Sequence, residues 1–185
     1  MIVKGAWLYD PNLPELVKKG LGVLIMRFFP DKFKTIPRHE QPWHFWVPNL
    51  APPRDVLNEF RDRKIKFHEF IAKYCMHMRK GTGPILLSYL AQASLDPMNK
   101  EVYVICCERL DTYCHRRILA EILNDIVATI TTHNLTLFNY GGKEIVLEVL
   151  DSMIKKYSFT PIKMSNEEPI EEGAEEEMTT EGIQK

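Results

Sequence analysis

The densest run of reactive side chains is Cys106-Cys107-Glu108-Arg109-Leu110-Asp111-Thr112-Tyr113-Cys114-His115-Arg116-Arg117. A thiolate, rather than a thiol, is the nucleophilic form of cysteine, and it is favoured where backbone N–H groups and cations face it. Asp111 or Thr112 fits the N-cap of a following helix, which places Cys114 in the first turn, beside His115 and Arg116 and at the positive end of the helix dipole. Cys114 is therefore the candidate nucleophile. The same helix start suits an anion, with Arg27, Cys106, Glu108, His115 and Arg116 as anion-binding or site-lining groups. Arg116 is read as a rim charge whose removal leaves the fold intact.

Other chemistries are open to the same residues. Cys106, Cys114 and His115 amount to three zinc ligands, and His39 or His44 would have to complete the set. The paired C-x-x-C spacing of structural zinc sites is absent, so no residue is assigned to a metal and no cofactor is implied. Cys106 and Cys114 could instead form a redox pair across the turn. In the plainest reading Cys106 is core and Cys114 fills space, while Arg116 and Arg117 are solvated.

Two elements must position this run. Glu101–Cys107 contains Val102-Tyr103-Val104-Ile105, an apolar run that marks a strand covered on both faces. Ile118, Leu119, Ile122, Leu123, Ile126, Val127 and Ile130 recur at helical spacing, predicting a helix from about Asp111 onward. In an open α/β sheet, ligands gather at the carboxyl ends of such strands. Arg27 lies at the end of a second buried apolar run, Leu21–Phe29, where a charge is costly unless it faces a cleft or a partner. If the two strands are neighbours, Arg27 pairing with Glu108 is a structural alternative to anion binding.

Elsewhere Ile2–Tyr9 reads as a strand, Leu13–Lys19 as a short helix, and Val56–Arg63 as a helix with Pro53 at its first position. Phe67, Phe70, Ile71, Tyr74, Cys75 and Met78 form an amphipathic stripe, with Cys75 in the core, and Pro84–Ala93 is a largely buried helix. A weaker strand is expected at Leu135–Phe138 and a last helix at Glu144–Tyr157. Between Pro30 and Pro53 a proline-rich stretch carries Trp43, His44, Phe45 and Trp46, an irregular loop that covers the sheet edge or meets a partner. Strands alternating with helices imply crossover connections, hence an α/β fold: a compact three-layer Rossmann-like domain with a mostly parallel sheet.

Composition separates body from tail. Eight of the 25 acidic residues but one of the 24 basic residues lie from Met164 onward, leaving 17 acidic against 23 basic side chains and a net +6 in residues 1–163. The expected organisation is a single basic α/β domain over 1–163 and an acidic, disordered tail over 164–185. No signal peptide and no apolar stretch of membrane-spanning length is visible, so no membrane is expected. The reducing cytoplasm, with free thiols, is the expected compartment.

The spacing Cys106-x-Glu108-x5-Cys114-His115-Arg116, after a strand and opening a helix that continues Ile118-Leu119-Ala120-Glu121, resembles the family called domain of unknown function 488, DUF488. Leu8-Tyr9-Asp10-Pro11, Val23-Leu24-Ile25-Met26-Arg27 with Pro30, Leu50-Ala51-Pro52 and the Phe67–Tyr74 helix are similar in kind, so the resemblance covers about residues 1–130. It implies a compact Rossmann-like domain and points to Arg27, Cys106, Glu108, Cys114, His115 and Arg116, without implying an activity. Relatives often carry Asp where Met26 stands, so a mechanism needing a carboxylate there is in doubt for this chain.

The leading functional expectation is a domain that binds an anionic or phosphorylated small molecule at the strand-to-helix site, with a reactive cysteine; whether it is an enzyme stays open. The rivals are a non-enzymatic module that contacts nucleic acid or protein through the basic body and aromatic loop 43–46, and a zinc-stabilised structural domain. Nucleic acid is the less favoured partner, because the body has no run of five basic residues. Substrate and oligomeric state are not read from these residues.

Overall fold

The computed structural model describes residues 3–96, 98, 101–110, 112–133 and 142–158. The expected strand at 135–138 and the tail at 164–185 lie outside them. The sheet is built from β1 (Val3–Trp7), β2 (Leu21–Leu24), β3 (Phe45–Trp46) and β4 (Val102–Cys106), all parallel and in the order β1-β4-β2-β3. The two apolar runs are thus the interior strands. Register aligns Leu24 with Ile105 and Trp7 with Cys106, so both interior strands open on one rim.

All five residues of β4 are buried, because both faces of the sheet are covered. Tyr103 and Ile105 face a smaller core with Ala6, Leu8, Leu24 and, from helix α1 (Leu13–Lys18), Leu13 and Val17. Trp43 and Phe33 close this side, with ring centroids 4.9 Å apart. Val102, Val104 and Cys106 face the larger core. It is built by α2 (Arg54–Arg61), α3 (Phe67–Met78), α4 (Gly83–Leu95), α5 (His115–Thr132) and α6 (Gly142–Ser158). The chain is therefore a three-layer, Rossmann-like α/β protein. Gly22 lets α1 approach the sheet, since a Cβ there would sit 2.8 Å from the Val17 side chain.

Two sequence-based boundaries shift. The run 21–29 stays in the sheet only to Leu24; Ile25 donates its N–H to the Ile105 carbonyl at 3.0 Å, and the chain then leaves to form the rim. The helix expected from Asp111 begins at His115, with Cys114 itself as N-cap in extended conformation. The 30–53 stretch is also more ordered than a plain loop: it holds β3 and single 3-10 turns at Asp31–Phe33, Arg38–Glu40 and Pro48–Leu50. No helix among the described residues is long and apolar enough to cross a membrane.

Candidate functional site

Three segments meet at the shared rim: residues 25–30 after β2, residues 51–53 leading into α2, and residues 107–110 and 112–114 between β4 and α5. The third is held by Arg116. This side chain is only 2% exposed, and its guanidinium donates to the carbonyls of Cys106 (3.4 Å), Glu108 and Arg109 (3.1 Å). Its stem crosses Gly5 of β1, where a Cβ would lie 3.4–3.5 Å from Cγ, Cδ and Nε. Arg116 is thus no rim charge: its guanidinium folds a loop around itself. The Trp7 indole adds a hydrogen bond to the Cys107 carbonyl at 2.9 Å.

The braced loop delivers a compact cluster. One ligand-capable atom from each of Cys106, Glu108, Cys114 and His115 lies within 4.8 Å of all the others. The Cys106 thiol donates to the Glu108 carboxylate, as does the Cys114 thiol at 3.5 Å, and the His115 Nε2 sits 3.7 Å from Cys106 Sγ. As N-cap, Cys114 Sγ accepts the Arg116 N–H at 3.5 Å. His115 reaches the Ile25 carbonyl with Nε2 at 3.4 Å, and the Tyr74 ring meets its imidazole edge-on at 6.0 Å. Tyr74 is fixed in turn through its hydroxyl, which donates to the Leu50 carbonyl.

Titration follows from this crowding. The Cys106 hydrogen bond holds the Cys114 thiol well below the ordinary cysteine value against the opposing effect of burial, and His115 assists. Cys106 moves the other way, raised by its hydrogen bonds to Cys107 and Cys114 and by burial. Burial pushes the Glu108 carboxyl up, but the His115 charge and the thiol hydrogen bonds outweigh it and the net shift is downward. His115 is opposed by burial yet raised overall by Cys114, Glu108 and the Ile25 carbonyl. The cluster thus favours a charged carboxylate, one thiolate-prone sulfur and an imidazole ready to take a proton.

Above it lies a cleft of about 260 Å3, bordered by Arg27, Arg54, Arg61, Cys106, Glu108 and His115 among others. A second hollow of about 520 Å3 shares Leu57, Arg61, Glu108 and His115 with the first and extends to Tyr113. Arg54, Asn58 and Arg61 sit at i, i+4 and i+7 on α2, one helical face. Arg27 donates to the carbonyls of Pro52 (2.8 Å) and Ala51 (3.1 Å), which answers its burial by loop hydrogen bonds rather than a Glu108 pair.

Of the residues expected at the site, Arg27, Cys106, Glu108, His115 and Arg116 converge on this rim, Arg116 from beneath it. Cys114 is in the cluster but is 1% exposed and does not border the cleft, whereas a reactive thiol needs partial exposure. His39 and His44 are not brought in: His39 pairs with Glu40 on an exposed turn, and His44 Nδ1 accepts the Gly22 N–H at 3.0 Å. Glu108 stands where they were expected. In the aromatic loop, Trp43 is core, while Phe45 and Trp46 are exposed. Arg54 and Arg61 went unnoticed in the sequence; their seven-residue spacing with Asn58 between them was the available signal.

The parallel sheet and its two covered faces define a Rossmann-like α/β protein, with a thiol–carboxylate–imidazole cluster at the carboxyl rim and an arginine that braces it. A family model described as "Active DUF488-N3 subclade" matches residues 7–126. The chain belongs to the DUF488 family. No curated protein and no solved structure matches it.

Proposed function

We propose that this DUF488 protein binds an anionic, phosphate-bearing small molecule in the cleft between α2 and the ends of β2 and β4. The observation that carries the reading is the convergence of Arg27, Arg54 and Arg61 on one cleft whose floor includes Glu108 and His115. Arg54 and Arg61 are exposed on the facing side of α2, where a guanidinium can take two phosphate oxygens at once. Arg27 contributes charge from a fixed position, because two carbonyls hold it. Glu108 would orient hydroxyl or amine donors of the same ligand, and His115 would hold or pass a proton at its edge. The burial of Cys114 favours a binding role over nucleophilic attack by that thiol.

Calorimetric titration with pyrophosphate and with adenosine monophosphate tests the proposal. Saturable binding is expected, weakened roughly 10- to 100-fold in Arg61→Ala, the equivalent of losing a charge-assisted hydrogen-bond pair of about 1.5–3 kcal/mol. Lys18→Ala, on α1, should bind as the parent does. Absence of saturation, or equal affinity in Arg61→Ala, refutes the reading. Binding confined to an oligothymidine strand, with a steep fall in added salt, would transfer the site to the nucleic-acid class.

A further inference from the structure

We propose that Cys106, Glu108, Cys114 and His115 together bind one zinc ion. Zinc takes thiolate sulfur at about 2.3 Å, imidazole nitrogen and carboxylate oxygen at about 2.0–2.2 Å, in a tetrahedron. Donors at those radii stand roughly 3.3–3.8 Å from one another. With His115 Nε2 turned to the Ile25 carbonyl, the nitrogen that faces the ion is Nδ1, 4.0 Å from Cys106 Sγ; Cys114 Sγ is 3.5 Å from Glu108 Oε2, and one donor atom of each residue lies within 4.8 Å of the others. The four donors are gathered closely enough that small side-chain shifts, chiefly the parting of the hydrogen-bonded Cys106 thiol and Glu108 carboxylate, bring them to tetrahedral spacing around one point.

The donor chemistry selects the metal. Two thiolates disfavour magnesium and calcium, which take hard oxygen ligands, while an imidazole and a carboxylate beside them suit zinc. On binding, both thiols release their protons to solvent and each sulfur contributes an electron pair to the ion. The three negative ligands and the dication then leave a single negative charge, at a rim bordered by Arg27, Arg54 and Arg61.

The surroundings have the features that accompany bound metals. Ligating histidines give their second nitrogen to a carbonyl or carboxylate that fixes the ring, and with Nδ1 toward the ion His115 has Nε2 at 3.4 Å from the Ile25 carbonyl. The Arg116 N–H meets Cys114 Sγ, as backbone donors meet metal thiolates. The Arg116 guanidinium fixes the carbonyls of Cys106 and Glu108 themselves, so these ligands are held in place before an ion arrives. Cys106, Cys114 and His115 are buried, whereas Glu108 is half-buried and borders the cleft. The ion would therefore enter past Glu108, and that carboxylate is its solvent-side ligand.

Zinc ligation would replace the roles proposed above for Glu108 and His115 but leaves the anion contacts of Arg27, Arg54 and Arg61 as they are, so loss of zinc and loss of pyrophosphate binding are read separately. The test is elemental analysis of the full chain, made without a polyhistidine tag and purified without chelator. About one zinc per chain is expected. Cys106→Ser should lose it on dialysis, with affinity down at least about 100-fold, while Arg61→Ala keeps it. Because Cys106→Ser could unfold, cobalt exchanged into the unaltered chain provides a second readout: a tetrahedral d–d spectrum with a thiolate charge-transfer band is expected. Wild-type chain that retains less than about 0.1 equivalent after zinc addition and gel filtration overturns the proposal. So does a stoichiometric metal other than zinc, zinc kept undiminished by folded Cys106→Ser, or an octahedral cobalt spectrum without sulfur charge transfer.

Discussion

Replacing Arg116 with Ala should be among the most destructive single changes in this chain. The guanidinium donates to the carbonyls of Cys106, Glu108 and Arg109, and the stem covers Gly5. A hydrogen bond from a charged donor is worth about 1.5–3 kcal/mol net. The 3.4 Å contact to Cys106 is weak, and the Arg109 carbonyl lies near solvent where water can replace the donor. One full bond, two discounted ones and the lost packing of the stem give roughly 3–5 kcal/mol, a large fraction of the 5–15 kcal/mol typical of domains. At about 2–4 °C per kcal/mol for a domain of this size, the midpoint should fall by roughly 6–20 °C. Arg116→Lys keeps the charge but loses the fork geometry, and should recover less than about half of the loss. Urea unfolding followed by circular dichroism gives the free energy. Tryptophan emission reports the loop separately, because the Trp7 indole is bonded to the Cys107 carbonyl. A loss under about 1 kcal/mol with unchanged Trp7 emission would mean that Arg116 is the solvated rim charge the sequence suggested, and the brace argument would fail.

Two further outcomes follow from burial and close approach. In the folded chain Cys107, half-buried at the cleft, should be alkylated by iodoacetamide before Cys75, Cys106 or Cys114, all buried, as peptide mass spectrometry over time would show; early labelling of Cys114 would contradict its placement. Gly20→Ala should cost at least about 2 kcal/mol in chemical unfolding, since a Cβ there would sit 2.2 Å from the Glu101 carbonyl oxygen, and backbone cannot yield as a flexible side chain can. A neutral result would mean that the turn before β2 is not packed against Glu101.

Much of this was legible because burial on both faces leaves an unmistakable residue pattern. Val102–Ile105 reads as an interior strand, and Ile118 through Ile130 as a helix, on side-chain type alone. The failures occur where a long-range contact overrides a local preference. Asp111 and Thr112 are better N-caps than Cys, yet α5 starts at His115, after a loop that wraps carbonyls around a guanidinium from the helix's own first turn. Ile25–Phe29 has strand composition, yet Arg27 turns to the carbonyls of Ala51 and Pro52 and the segment becomes rim. No local rule couples residue 27 to 52 or 116 to 108. Glu108 is expected at the site as an anion-binding or lining group but not as a companion of the two thiols and the imidazole, for which the distant His39 or His44 is offered; the fold brings its carboxylate, and neither of those histidines, within 4.8 Å of the other three.

The family match ends at residue 126, within α5, but the geometry of the site depends on a helix beyond it. His115 is oriented by Tyr74, and Tyr74 belongs to α3. The partner that packs along α3 is α6, which buries Ile145, Val146, Val149, Leu150 and Met153. At about 1.5–3 kcal/mol for each fully buried aliphatic side chain, this contact outweighs any single hydrogen bond at the rim. A cavity such as Leu150→Ala should cost about 2–5 kcal/mol. It should also loosen α3 and, through Tyr74, the imidazole of His115. The cluster is therefore assembled by the motif around β4 and α5, while the angle of its histidine is set by packing from a segment that the family pattern does not include.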